Sequence, residues 1–257
     1  MLNIVIPMAG AGSRFSKAGY KDPKPLIKIN NVEMINLVIK NLRPNTKHRF
    51  IFICQRTHSQ EYGLVEKLSC WAPGCEIVQI DGMTEGAACT VLKARHLIEN
   101  DNPLMIANSD QYVDCSIDQY IQKLTEEKLD GLIMTMKAND PKWSFVGFDE
   151  NGNVTRVIEK EVISDEATVG IYNFTKGVDF VQAADEMIEQ DLRVNNEFYV
   201  APVYNQMISM GKRIGVFNIG EEANGMYGLG IPDDLEKFKK LPVCKKILGK
   251  INENNFS

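Results

Sequence analysis

Strand-like and helix-like segments alternate through the first half of the chain, and this alternation restricts the possible fold more than any other feature. Strand patterns occur at Leu2–Pro7, Arg49–Gln55, Glu76–Ile80 and Pro103–Ala107. Helical spacing of apolar residues follows them, at Val32–Leu42, Gln60–Ser69, Gly86–Glu99 and Ser116–Glu126. Strands that alternate with helices pair in parallel and carry helices on both faces of the sheet. An α/β fold with a mostly parallel sheet is therefore predicted.

The second half of the chain is richer in strands. Strand patterns occur at Leu132–Met136, Phe145–Asp149, Val154–Ile158 and Thr168–Phe174, and helical patterns at Val178–Glu189, Val200–Met210 and from about Asp233. These additions predict a mixed, Rossmann-like sheet. Because the 257 residues contain no repeat, low-complexity tract or linker, we expect a single domain over 1–257.

Composition excludes several functional classes. A net charge of -5 is unsuited to a nucleic-acid-binding protein, which needs a basic face. No apolar run approaches the roughly 20 residues of a membrane span, and the N-terminus lacks the pattern of a signal peptide. The six cysteines form no C-x-x-C pair, which favours free thiols in a reducing compartment. We expect a cytoplasmic protein with neither a nucleic-acid nor a membrane partner, and its oligomeric state remains open.

The loop after the first predicted strand has the composition of an anion-binding loop. Gly10 and Gly12 allow backbone amides to approach an anion closely, and Arg14 adds a guanidinium. Lys24 follows between two prolines, which restrict the backbone and fix where the ammonium points. Fixed amides and cations stabilise the charge that develops when a triphosphate loses pyrophosphate. The loop fits neither the dinucleotide fingerprint, which needs glycine at Phe15, nor a Walker loop.

The segments Gly10-Ala-Gly-Ser-Arg14 and Pro23-Lys-Pro25 resemble the sugar-phosphate nucleotidyltransferase family, which includes glucose-1-phosphate thymidylyltransferases. The resemblance implies the nucleotide-diphospho-sugar transferase fold, with a nucleotide-binding half over 1–130 and an acceptor-binding half over 131–250. It implies an enzyme of sugar-nucleotide and polysaccharide biosynthesis, which joins a nucleoside triphosphate to a sugar 1-phosphate with Mg²⁺ and releases pyrophosphate. Arg14 and Lys24 would be catalytic. The nucleotide would contact the loop residues Ala9, Gly10, Ala11, Gly12 and Ser13.

A second family segment, Asp81–Ala88, follows the third predicted strand. The resemblance implies that Gly86 lets the base edge approach the backbone and that Glu85 accepts from an exocyclic amine. An alternative is an ordinary helix N-terminus, with Thr84 as its cap and Glu85 favoured by the helix dipole.

The metal site is where this sequence departs from the family. Asp110 follows the fourth predicted strand and, by resemblance, would hold Mg²⁺, a cation that prefers oxygen ligands. The family places a second aspartate near the C-terminus, where this chain has Gly228. We therefore expect Asp110 to be the main carboxylate ligand. The rival is that Asp114 or Glu222 replaces the missing aspartate.

The acceptor site is assigned from the hairpin that ends in Glu159-Lys160. The resemblance implies that Gly147 approaches the sugar, Glu159 accepts from its hydroxyl groups and Lys160 pairs with its phosphate. Gly170, in the next predicted strand, would lie against the sugar.

The proposed reaction needs no protein nucleophile, because a phosphate monoester is largely a dianion at neutral pH. Its oxygen can attack the α-phosphorus in line. Three alternatives remain: a cytidylyltransferase for a non-sugar phosphate such as phosphocholine or a phospho-polyol, a glycosyltransferase, and a non-catalytic sugar-nucleotide-binding module. Pyrophosphate release would distinguish the two nucleotidyltransferases from the other two classes.

Overall fold

The strands form one large mixed sheet and one small ribbon. The computed structural model describes residues 1–253. Within them the strands are β1 (Leu2–Pro7), β2 (Lys28–Ile29), β3 (Val32–Glu33), β4 (His48–Gln55), β5 (Glu76–Ile80), β6 (Leu104–Ala107), β7 (Gln111–Val113), β8 (Gly131–Lys137), β9 (Ser144–Phe148), β10 (Val154–Glu159), β11 (Glu166–Phe174), β12 (Ile214–Glu222) and β13 (Gly225–Gly228). The main order is β5-β4-β1-β6-β11-β8-β12-β13-β7, with β9 on β11 and β10 on β9.

The first half of the sheet is parallel, as the alternation predicts. β5, β4, β1 and β6 all run in the same direction, with Leu2 opposite His48 and Asn3 opposite Leu104. Antiparallel pairing begins at β11, which lies between β6 and β8. The predicted mixed α/β fold is confirmed.

The helices lie between and around these strands. They are α1 (Ser13–Lys17), α2 (Met34–Leu42), α3 (Arg56–Tyr62), α4 (Leu64–Trp71), α5 (Ala87–Val91), α6 (Arg95–Ile98), α7 (Ile117–Glu126), α8 (Gly177–Glu189), α9 (Val203–Ser209), α10 (Pro232–Lys240) and α11 (Pro242–Glu253), with 3-10 turns at Lys24–Leu26 and Leu92–Ala94. Over residues 1–253, no helix combines the length and the apolar character needed to cross a lipid bilayer.

Each face of the sheet is covered by its own apolar core. Successive side chains of a strand point to opposite faces. Ile4 and Ile6 therefore join the core that contains α4 and α7, whereas Val5 joins the core that contains α5, α8 and α9. Full burial of β1 on both faces explains why its sequence is an apolar run without polar alternation.

Three predicted helices are interrupted. Gly63, at φ 59°, separates α3 from α4, because a left-handed residue ends a helix. The segment predicted as Gly86–Glu99 contains α5, a 3-10 turn and α6. The C-terminal helix breaks before Pro242, which lacks the N–H that a continuous helix would need.

Candidate active site

The loop between β1 and α1 opens onto a cavity at the carboxyl end of the parallel strands, where open α/β sheets bind ligands. The cavity measures about 210 Å³ and is lined by Gly12, Ser13, Arg14, Phe15, Lys24 and Gly230. Gly12 has φ 60°, and a Cβ atom there would lie 3.3 Å from the Lys24 Cβ. Glycine at this position therefore lets the loop turn tightly against Lys24.

Lys24 and Asp110 are ion-paired at this cavity, although 86 positions separate them in sequence. Their side chains are 24% and 22% exposed, so both remain accessible from the cavity. Gly230 makes room for the pair, because a Cβ there would lie 2.6 Å from Asp110 Oδ2. The structure thus brings together the predicted catalytic lysine and the predicted metal ligand.

The single carboxylate of Asp110 fits a cation whose other ligands come mainly from the bound substrate. Within residues 1–253, no cluster of three or more His, Cys, Asp or Glu side chains could hold a metal ion. A single accessible carboxylate still suits Mg²⁺ when phosphates and waters supply the other ligands.

Neither residue proposed to replace the missing aspartate lies at the loop cavity. Asp114 lines a separate cavity beside α2 and α11, and Glu222 pairs with Lys142 at 2.9 Å. The carboxylate near Gly228 is instead that of Asp234, whose Oδ2 lies 3.8 Å from the position of a Cβ on Gly228.

A second cavity, of about 210 Å³, adjoins the loop at Ala9 and Gly10. It is lined by Pro7, Ala9, Gly10, Met83, Thr84, Gly86, Ala87, Thr90 and Glu197. Gly86 has φ 132°, and a Cβ there would lie 2.4 Å from the Phe198 carbonyl oxygen. Close packing against the backbone of Phe198 therefore accounts for glycine at position 86. Its predicted approach to a base stays a prediction.

The environment of Gly86 also corrects the predicted helix cap. Gly86, not Thr84, is the N-cap of α5, and no side chain caps that helix. The Thr84 hydroxyl instead donates to the Gly86 carbonyl at 3.0 Å. The Glu85 carboxylate is exposed and pairs with Arg193, whose guanidinium lies 4.5 Å from the centre of the Phe198 ring.

A third cavity, of about 360 Å³, contains most of the predicted acceptor residues. It is lined by Arg14, Ala87, Asn108, Lys142, Trp143, Ser144, Glu159, Lys160, Thr168, Val169, Gly170, Tyr172, Tyr199, Val200 and Ala201. Arg14 also lines the loop cavity, and Ala87 also lines the second cavity. The third cavity therefore adjoins the other two, and the three cavities are together called the cleft.

Glu159 and Lys160 present opposite charges to the acceptor cavity. Glu159 is 9% exposed and accepts a hydrogen bond from the Ser144 hydroxyl. Burial raises the pKa of this carboxyl group. Lys160 Nζ donates to the Tyr199 hydroxyl at 2.8 Å, and this hydrogen bond raises the pKa of the ammonium. Gly170 lets the Asn108 side chain lie close to the backbone, because a Cβ at position 170 would lie 2.2 Å from the Asn108 amide nitrogen.

Gly147 is the one predicted acceptor residue that the structure places outside this cavity. A Cβ there would meet Arg156 Cγ at 2.9 Å and Ile163 Cδ1 at 3.0 Å. Ser144, three positions earlier in β9, lines the cavity instead. Because side chains alternate along a strand, positions 144 and 147 point to opposite faces. Gly147 could reach an acceptor only through its backbone, and its predicted approach to the sugar stays a prediction.

Ser144 and Tyr199 also line this cavity, although neither was predicted from the sequence. Ser144 carries a local signal, since it begins the strand that pairs with the predicted Glu159 strand, where Ser144 and Glu159 are directly opposite. Tyr199 carries none, because its contact with Lys160 spans 39 positions.

A sequence profile of the nucleotidyl transferase family matches residues 4–213, and the chain belongs to that family. The resemblance seen in the first loop is thereby confirmed. Among curated proteins, the Drosophila melanogaster protein named mannose-1-phosphate guanylyltransferase catalytic subunit beta is 26% identical over 196 residues. A relative of the same name from Drosophila pseudoobscura pseudoobscura is 26% identical over 181 residues. The matches cover 73% and 68% of this chain but 52% and 48% of those proteins, so the chain spans about half their length.

Solved structures share the fold over nearly the whole chain. A nucleoside-diphosphate-sugar pyrophosphorylase from Vibrio cholerae RC9 has a TM-score of 0.79 and 25% identity, covering 93% of this chain and 100% of that one. A UDP-glucose pyrophosphorylase from Acinetobacter baumanii has a TM-score of 0.71 and 13% identity, covering 98% and 99%. At 13% identity the second likeness concerns the fold alone.

Proposed function

We propose that this protein transfers a nucleotidyl group from a nucleoside triphosphate to a sugar 1-phosphate and releases pyrophosphate. One observation carries the proposal: a loop cavity with Arg14, Lys24 and Asp110 adjoins a second cavity with Glu159 and Lys160. Arg14 lines both, so a triphosphate and a phosphorylated acceptor can meet beside one guanidinium. The names of the Drosophila and Vibrio relatives support a sugar phosphate as acceptor and a nucleotide sugar as product.

In this proposal the nucleotide binds mainly to residues 1–130 and the acceptor mainly to residues 131–250. Arg14 and Lys24 donate to triphosphate oxygens and stabilise the charge that accumulates on the leaving pyrophosphate. Asp110 would hold Mg²⁺ together with the substrate phosphates, and the ion would add positive charge where negative charge develops. Lys24 must exchange its Asp110 contact for a phosphate contact when the nucleotide binds.

The acceptor needs orientation rather than activation. Its phosphate is largely a dianion at neutral pH, so no general base has to deprotonate it for in-line attack. Glu159, buried and held by Ser144, is available to accept from sugar hydroxyl groups. Holding the two substrates in a reactive geometry replaces a bimolecular encounter, which can account for much of the rate enhancement.

A pyrophosphate-release screen tests the proposal. Each common nucleoside triphosphate is incubated with Mg²⁺ and a panel of sugar 1-phosphates, polyol phosphates and phosphocholine. We expect pyrophosphate to be released with a sugar 1-phosphate, and we expect no release when the sugar 1-phosphate is omitted. Release with phosphocholine or a polyol phosphate alone would instead indicate the cytidylyltransferase type. No release with any pair, despite measurable nucleotide binding, would favour a glycosyltransferase or a binding module.

A further inference from the structure

The Lys160–Tyr199 pair at the acceptor cavity uses only one of the hydrogen-bond donors that its two side chains carry. Lys160 Nζ lies 2.8 Å from the Tyr199 hydroxyl and 4.9 Å from the centre of its ring. A lysine ammonium has donors but no acceptor, so the tyrosine oxygen must accept in this contact. The hydroxyl hydrogen of Tyr199 is therefore left to donate elsewhere. Among the described residues, the bond from Lys160 is the one hydrogen bond that this hydroxyl makes.

Both members of the pair are held in place by their backbones. Lys160 has φ 59°, a conformation that a residue with a side chain adopts only where the surroundings impose it. Its N–H donates to the Trp143 carbonyl at 2.9 Å. Tyr199 follows Phe198, whose N–H donates to the Glu85 carbonyl at 2.8 Å. The backbone that carries each donor is thus ordered without a ligand, which lowers the entropic cost of binding.

We propose that the Tyr199 hydroxyl is a binding residue for the acceptor, donating a hydrogen bond to the same phosphate group that Lys160 pairs with. The inference rests on the proposed function, because it assumes a phosphorylated acceptor in this cavity. The buried carboxylate of Glu159 repels a phosphate. The acceptor therefore binds with its phosphate towards Lys160 and Tyr199 and with its hydroxyl groups towards Glu159.

The test compares Tyr199→Phe, Lys160→Met and the double variant. Tyr199→Phe keeps the ring and removes the hydroxyl group, so it should raise the KM for the acceptor about tenfold, the low end for a hydrogen bond to a charged group. The Kd for the nucleoside triphosphate should stay unchanged. Tyr20→Phe is the matched control, since it removes a hydroxyl that contacts Glu236 outside the acceptor cavity. This control should leave the KM for the acceptor unchanged.

The double variant separates direct contact from positioning. If Tyr199 donates to the phosphate itself, adding Tyr199→Phe to Lys160→Met should raise the acceptor KM further, by about threefold or more. No further rise would mean that Tyr199 acts through Lys160 alone, and would overturn the proposal. A Tyr199→Phe enzyme with a normal acceptor KM would overturn it as well.

A binding measurement keeps this inference distinguishable from the proposed reaction. If the parent protein releases no pyrophosphate with any substrate pair, the proposed function fails, and turnover then says nothing about Tyr199. Methyl phosphate, a simple monoester, can still be titrated while the NMR signal of a ¹³C-labelled Tyr199 ring is observed. A shift in the parent protein, with about tenfold weaker binding by Tyr199→Phe, supports the hydroxyl as a donor. Equal affinity of the two proteins for methyl phosphate refutes it.

Discussion

Replacing Gly86 with alanine should destabilise the protein by about 2–6 kcal/mol, the sum of two costs that the structure defines. The first is the backbone conformation, φ 132° and ψ 175°, which is essentially restricted to glycine and costs about 1–3 kcal/mol for other residues. The second is steric. A Cβ would lie 2.4 Å from the Phe198 carbonyl oxygen and 2.5 Å from its nitrogen, so this backbone must move by about 1 Å. Overpacking of this kind typically costs about 1–3 kcal/mol.

Urea unfolding of the parent and Gly86→Ala proteins measures the difference in their free energies of unfolding. Gly152→Ala is the matched control, because Gly152 has φ 79° but open space where a Cβ would lie. It should lose only the backbone contribution, about 1–2 kcal/mol. The reasoning is refuted if Gly86→Ala loses no more stability than Gly152→Ala, since the contact with Phe198 would then have no steric cost.

Three further predictions concern the charged groups of the cleft. Lys24→Ala should lower turnover about 10²–10³-fold with an unchanged circular dichroism spectrum, because one charge-stabilising donor typically contributes about 2.7–4 kcal/mol; near-normal turnover would exclude Lys24 from the mechanism. Asp110→Asn should weaken Mn²⁺ binding in the presence of nucleotide, as followed by electron paramagnetic resonance, and an unchanged Mn²⁺ affinity would exclude Asp110 as a ligand. Because burial raises the pKa of Glu159 above its ordinary 4.5, the stability that this group contributes is present at low pH and is lost as the pH rises through the folded-state pKa. Glu159→Gln should therefore gain stability relative to the parent as the pH rises above 4.5 in urea unfolding, and a pH-independent difference would contradict this account.

Local sequence patterns were sufficient for the parallel half of the sheet and for the first loop. β1 and β5 have the predicted bounds, because short apolar runs between turn residues are typical of buried strands. The helical segments were located, but their interruptions at Gly63 and at Leu92–Ala94 were not. Apolar spacing continues across such breaks, so it does not reveal them.

The glycines of the cleft show the limit of sequence reasoning most clearly. Glycine at position 86 is explained by the backbone of Phe198, more than 100 positions away, and glycine at 230 by the carboxylate of Asp110. Ser144 lies in the same strand as Gly147, yet only the structure shows that its side chain lines the cavity. A sequence shows that glycine is present but not which distant atom approaches it.

The sequence by itself determined the α/β alternation, the anion-binding character of the first loop and the identity of its cations, because each depends on residues close together in the chain. Only the tertiary structure decided that Lys24 contacts Asp110, that Tyr199 contacts Lys160 and that Ser144 holds Glu159. These contacts join residues 86, 39 and 15 positions apart. The first contact exists because the sheet order places β6, which precedes Asp110, beside β1, and the third because β9 pairs with β10. The contact between Tyr199 and Lys160 joins the segment before α9 to the end of β10, and no local pattern predicts it.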